Sequence, residues 1–389
     1  MEKNSDFKSI EFSNYEFVSI IVIMIFTNFV GIIPESIIKN CGSASIIGTI
    51  FLSILAYTIY RFLTTYIFKR EFDLYEIMQK TFPKIFCKIF AIIFYLFLML
   101  YIYVTISSIV FDLKETTYAQ STVFQLAIYF IIALFLITKK GFNSLFRIAG
   151  YISAPIIIYV IILFIFSIPF LSIENFFPLL GNGIKDIFIS NFKNIGLFCP
   201  LFLTLFFGGN IKKHSRENLS NFNKIFLFGT VSFLLIITMF VGSMPSELLI
   251  TRSSLIFDVS RIVAFSTTSI KFAPFMISFF SFISFLSSSF LLLIACMSLE
   301  RLKVIKDYSK FIVISNLAIA LLFLFPLTSI IVSKLENILY TLSIFVCIIF
   351  PIVTIFIYSL KNSENIKTKF NIKNSIAKLK KGGNVESYE

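Results

Sequence analysis

The sequence contains no tryptophan, one histidine, five cysteines and only 14% charged residues in 389. A lone His214 cannot build an imidazole cluster for metal or nucleophilic chemistry. Cys41, Cys87, Cys199, Cys296 and Cys347 form no CxxC motif and no Cys/His pair, so they read as small core residues rather than a zinc site, a redox dithiol or a disulfide scaffold. No metal, cofactor or catalytic residue is expected, and an enzyme is disfavoured. Charge is equally scarce, since a soluble chain carries about 25%. What fills the space is apolar: 57% hydrophobic residues and a mean hydropathy of +0.91. The formal charge of +13 is confined to connectors and a tail, and it does not make the chain a nucleic-acid binder.

The apolar residues come in runs of roughly 18 to 25, the length a helix needs to cross about 30 Å of hydrocarbon. We place ten spans at 17–38, 44–68, 89–111, 122–138, 148–169, 194–209, 224–243, 273–298, 311–331 and 337–360, so that 17–360 is the membrane domain. Residues 1–16 mix Glu2, Asp6, Glu11 and Glu16 with Lys3 and Lys8, unlike a cleaved signal peptide, and the first run is expected to stay in the membrane. Residues 361–389 form a lysine-rich polar tail that reads as solvated and cytoplasmic, or as a contact for a partner or anionic lipid. Ten crossings with both ends cytoplasmic put 26 of the 34 lysines and arginines inside, whereas omitting the short sixth span leaves 15 there. The positive-inside rule therefore favours ten.

Ten spans divide into five plus five, and the first of each half is interrupted in mid-membrane. Span one carries Thr27-Asn28-Phe29-Val30-Gly31-Ile32-Ile33-Pro34, and span six carries Gly196-Leu197-Phe198-Cys199-Pro200. Proline removes a helical donor and glycine lets the chain leave helical dihedrals, so Gly31, Pro34, Gly196 and Pro200 are the expected helix breaks. Freed backbone groups in lipid need partners. Kinked helices packed on their neighbours satisfy that need, and so does a bound small ligand. Span eight places Ser278, Ser281, Ser284 and Ser288 on one face, and span three places Tyr101, Thr105 and Ser108 likewise. Such stripes serve close packing or a cavity wall. Glu35 is the only acid inside a predicted span and reads either as solvated near the span's end or as a gate or proton site, while Asp112, Glu174 and Glu336 read as boundary residues and Arg147 as a cytoplasmic anchor.

Gly141-Phe142-Asn143-Ser144-Leu145-Phe146-Arg147, followed by a proline-containing span, and Asn175-Phe176-Phe177-Pro178-Leu179-Leu180-Gly181-Asn182-Gly183-Ile184 closely resemble the B subunit of nutrient germinant receptors, the spore germination permeases. The resemblance runs from about residue 11 to 360 and is most specific over Phe177–Gly183, with Pro34 in agreement. It implies membership of the amino acid, polyamine and organocation transporter superfamily, with an inverted-repeat fold whose first and sixth helices are unwound. It also implies the inner membrane of a bacterial endospore, with a germinant receptor A subunit and a lipoprotein C subunit as partners.

The sequence thus points to an all-α polytopic membrane protein that binds a small nutrient, such as an amino acid, and signals germination. The expected pocket comprises Thr27, Asn28 and Gly31 of span one, Thr105 of span three, Phe198 and Cys199 of span six, and Ser281 and Ser284 of span eight. The alternatives are an ion-coupled amino acid transporter using the same pocket, and a structural or ion-conducting subunit that binds no nutrient. Central turns of spans three, five, six, eight and ten hold no His, Asp, Glu, Lys or Arg, which favours a ligand-biased switch over a proton symporter.

Overall fold

A backbone in lipid must satisfy its own polar groups, which leaves helices or closed barrels. The computed structural model is helical, with no strand among its described residues, 13–30, 33–68, 74–206, 215–250, 272–325 and 328–361. The helices are α1 Asn14–Val30, α2 Ile33–Cys41, α3 Ser45–Phe68, α4 Leu74–Thr81, α5 Lys84–Thr116, α6 Val123–Ser167, α7 Cys199–Leu203, α8 Ser215–Ser243, α9 Ser246–Ile250, α10 Phe272–Arg301, α11 Tyr308–Leu322 and α12 Ser329–Ser343. The last runs through a π-helical stretch, Ile344–Ile349, into helix as far as residue 361.

Among the described residues seven helical segments are long and apolar enough to cross a membrane, and Tyr15–Asn28 and Tyr308–Leu322 are shorter apolar helices. The chain is a multi-pass membrane protein. Its outer surface agrees, because Ile54, Phe62, Ile85, Leu96, Tyr129 and Phe356 all stand exposed where a soluble protein would bury them. The 45-residue α6 would be about 68 Å long if straight, roughly twice the hydrocarbon thickness. It is instead two helices joined at Gly141 (φ 77°, ψ −175°), inside the connector expected between spans four and five.

Local signals set the helix starts. Ser13 and Glu16 cap each other's backbone N–H at the start of α1, and Thr122 and Gln125 do the same at the start of α6, so four otherwise orphaned donors are satisfied in two reciprocal pairs. One boundary differs from the sequence expectation. The last helix begins at Ser329 rather than after the gap expected at 332–336, because Thr328 accepts from the Ile331 N–H and starts α12 there. Glu336, read from the sequence as a boundary residue, therefore lies two turns inside a helix.

At the centre stand α1 and α10. Ile20 to Phe26 are buried without interruption, as are Phe290 to Ser298, so these helices are apolar all round because neighbours cover every face. Packed on α1 are α6, α8 and α10, while α10 also packs on α5 and α3 on α8. All five cysteines are buried. The short α4 braces one end of the bundle. It buries Leu74, Tyr75, Ile77 and Met78, receives Lys361 Nζ on the Thr81 carbonyl at 2.6 Å, and gives Gln79 Nε2 to the Arg301 carbonyl at 2.9 Å.

Candidate ligand-binding site at the helix interruptions

Span one is described as two segments, α1 to Val30 and α2 from Ile33. Gly31 itself, the Pro34 side chain and His214 lie outside the described residues. Span six is irregular throughout: a 3-10 stretch Phe192–Phe198, one α-helical turn α7, then a 3-10 turn Thr204–Phe206. The cause lies in its sequence. Pro200 has no N–H to give the Leu197 carbonyl in an i to i+3 turn, so that oxygen needs another donor.

Asn28 supplies it. Its Nδ2 donates to the Leu197 carbonyl at 3.0 Å, and its Oδ1 accepts from the Tyr101 hydroxyl. One amide on α1 therefore ties broken span six to α5. Beside it Cys199 Sγ lies 3.1 Å from Cys347 Sγ, which brings the π-helical stretch of the last span to the same place. Thr27 and Thr105 are buried, and their hydroxyls donate back to the Ile23 and Tyr101 carbonyls at 3.0 and 2.9 Å. Phe198 is fully buried and stacks on Phe226, with centroids 5.6 Å apart. The side chains at this junction, Asn28, Tyr101, Cys199 and Cys347 with Thr27 and Thr105, carry hydroxyls, thiols and an amide. The junction's capacity is to exchange neutral hydrogen bonds in a dry site, where an amide, a phenol and a bare carbonyl can be traded for those of a ligand.

A second polar chain joins the other half of span one to the entry of span six. Ser36 Oγ donates to Asn194 Oδ1 at 2.8 Å, Asn194 Nδ2 donates to Asn191 Oδ1 at 2.8 Å, and Asn191 Nδ2 is buried without a partner. Close approach is enforced at Gly196. A Cβ there would sit 2.2 Å from Ser343 Oγ and 3.2 Å from the Tyr340 carbonyl, so only glycine lets α12 press this near.

Of the residues expected in the pocket, Asn28 and Cys199 meet Tyr101 and Cys347, with Thr27, Thr105 and Phe198 on the same elements. Ser284 is buried on α10. Ser281 is elsewhere: with Ser278, Leu113, Thr117, Tyr118, Ser121, Leu126, Tyr129 and Phe130 it lines a cavity of about 500 Å³ at one end of the bundle. Sequence reasoning overlooked Cys347, Ser36, Asn191 and Asn194. The two asparagines carried a usable signal, since amides opening an apolar run need partners.

The segment Phe177–Gly183 clamps the end of α2. Asn182 Nδ2 donates to the Lys39 and Asn40 carbonyls, both at 3.1 Å, and Ser43 Oγ donates to the Pro178 carbonyl at 2.6 Å. A Cβ on Gly181 would fall 1.9 Å from the Cys41 carbonyl. Carbonyls left over at the C-terminus of α2 are thus satisfied by a loop that only this pattern of glycine and asparagine permits.

A family model described as spore germination protein matches residues 11–257. No curated protein sequence matches. Among solved structures, MhsT in complex with L-phenylalanine superposes with a TM-score of 0.63 at 14% identity, covering 90% of this chain and 88% of that one. Mhp1, a nucleobase-cation-symport-1 family transporter in a closed conformation with bromovinylhydantoin bound, gives 0.56 at 10% identity over 83% and 74% of the two chains. A manganese transporter of Eremococcus coleocola gives 0.54 at 13%, over 91% and 80%. At such identities the likeness shows the fold alone. That fold is the one these solved transporters share.

Proposed function

The chain belongs to the spore germination protein family, and on that premise we propose that it is the nutrient-binding membrane subunit of a germinant receptor. Its role is permease-like in architecture. In this reading a small nutrient, an amino acid first among candidates, binds at Thr27, Asn28, Gly31, Thr105, Phe198, Cys199 and Ser284, while Ser281 lines the separate end cavity. The observation that carries it is the Asn28 amide, which spends both its ends on holding span six to α5. A ligand carboxylate or ammonium that competes for the amide, for Tyr101 or for the Leu197 carbonyl releases that tie. Binding and rearrangement are then one event.

The energetics suffice. A hundredfold preference of ligand for the rearranged state corresponds to about 2.7 kcal/mol. Two or three hydrogen bonds at roughly 0.5 to 1.5 kcal/mol each supply it. The signal has a physical route: Phe206, at the end of span six, packs on Phe94 (4.5 Å) and on Tyr75 of the brace α4 (5.2 Å). We place the membrane domain at 17–360 in the endospore inner membrane, with 1–16 and 361–389 cytoplasmic and with receptor A and C subunits as partners. The rival is an ion-coupled amino acid transporter. Vesicles holding the purified chain, given a panel of radiolabelled amino acids and an imposed proton gradient, should bind one without concentrating it. Accumulation driven by the gradient would replace the switch with the transporter.

A further inference from the structure

The cavity of about 500 Å³ lies at the end of the bundle where α5 finishes and α6 begins, against the first turns of α10. Small-molecule sites run from about 300 to 1,000 Å³, so the space is of ligand size. It is separate from the Asn28–Tyr101 junction. Leu113 on its wall follows Tyr101 by twelve residues of α5, about 18 Å along the helix.

Backbone hydrogen bonds build one wall. The Thr117 and Tyr118 N–H groups both donate to the Leu113 carbonyl, at 3.0 and 2.9 Å, and the Ser121 N–H donates to the Tyr118 carbonyl at 2.9 Å. The cap formed by Thr122 and Gln125 then starts α6, so the turn is closed and presents Thr117, Tyr118 and Ser121 to the cavity. From α10 come Ser278 and Ser281, three residues apart on one helix face. With Tyr129, six of the nine lining residues carry a hydroxyl, and none carries a charge. The others are Leu113, Leu126 and Phe130.

That composition selects a ligand. A hydroxyl both donates and accepts, so a wall of hydroxyls matches neutral groups that do the same. An ion entering the cavity would lose water without meeting a countercharge, whereas the leucines and aromatic rings accept an apolar body. Ser281 adds a second observation. Its Oγ is buried and has no hydrogen-bond partner in the protein. A serine hydroxyl turns among three staggered positions about the Cα–Cβ bond, so a ligand in the cavity gives it the partner that the protein does not.

We propose that this cavity binds an uncharged polyol with an apolar face, its hydroxyls shared between the α10 serines and the turn after α5. The site goes beyond the nutrient reading of the junction and does not depend on it. An occupant ties α10 to α5 and α6 at this end of the bundle.

The test uses the full chain in nanodiscs of zwitterionic lipid and saturation-transfer NMR, with the signal from empty nanodiscs subtracted. Cyclohexanedimethanol is the neutral probe, and bis(aminomethyl)cyclohexane puts two ammonium groups on the same skeleton. The diol should bind saturably and the diammonium compound should not. Ser281→Ala removes the unpartnered hydroxyl without adding bulk, and it should weaken diol binding about three- to tenfold, the loss of one neutral hydrogen bond. Ser121→Trp fills the cavity from the turn and should abolish binding; Ser281→Ala remains readable if that chain does not fold. No saturable diol signal, equal binding of the diammonium compound, diol affinity unchanged by Ser281→Ala, or diol binding that survives in folded Ser121→Trp would each overturn the site.

Discussion

The bond between Asn28 and Tyr101 can be measured apart from everything around it. Asn28→Ala strands two buried groups, the Leu197 carbonyl and the Tyr101 hydroxyl, while Tyr101→Phe strands only the Asn28 Oδ1. Interhelical hydrogen bonds in membranes average about 0.6 kcal/mol with a maximum near 1.7, less than a lone unpaired group in hydrocarbon would suggest. Asn28→Ala should therefore cost about 1 to 3 kcal/mol and Tyr101→Phe about 0.5 to 1.5. The double variant should cost less than the sum by about 0.6 to 1.5 kcal/mol, because either single change already breaks the shared bond. Denaturant titration of the reconstituted chain reads all four corners of this cycle. Costs that add within about 0.3 kcal/mol would mean that the two side chains do not hold each other, and the junction would lose its role as a latch. Function splits the same pair. Tyr101→Phe weakens the closed arrangement but spares the amide, so germination should respond at lower nutrient concentration. Asn28→Ala removes the amide itself and should raise the concentration required.

Gly196→Ala should destabilise the chain by about 1 to 3 kcal/mol, the usual cost of overpacking, since its Cβ meets Ser343 Oγ at 2.2 Å. Gly229→Ala is the control, because its Cβ meets only Ile25 methyl groups at 3.2 and 3.3 Å, and a cost as large as that at Gly196 would show that the contact with α12 is not what matters. For topology, a cysteine replacing Thr117 should react with an impermeant thiol reagent from outside and one replacing Ser363 only from inside. External labelling at Ser363 would reverse the assigned orientation.

The helical membrane fold was legible because lipid leaves the sequence few options. Apolar runs of crossing length admit little besides helices, and glycine and proline in the sixth run marked where its helix turns irregular. Boundaries were less secure where apolar residues continue through a connector. The last two spans illustrate this: hydropathy put the gap at 332–336, but the cap formed by Thr328 begins the helix earlier and carries Glu336 inward. A side-chain hydrogen bond made this decision, and a window average does not register one.

The site was legible by half for a related reason. Asn28 and Cys199 could be named because they sit on the interruptions themselves, where freed backbone demands partners. Their counterparts, Cys347 on the last span and the Tyr101 hydroxyl as a donor, belong to segments whose sequences look like ordinary packing faces. Ser281 lies apart from them. It shares a helical face with Ser284, yet three residues advance a helix by about 4.5 Å, enough to move it from the core towards the end cavity. Periodicity fixes the face of a helix and not the depth in the membrane. Depth is set by which partner helix meets that face, and here the partners are chosen by single contacts such as Asn28 on Leu197 and Gly196 against Ser343, which join residues more than a hundred positions apart.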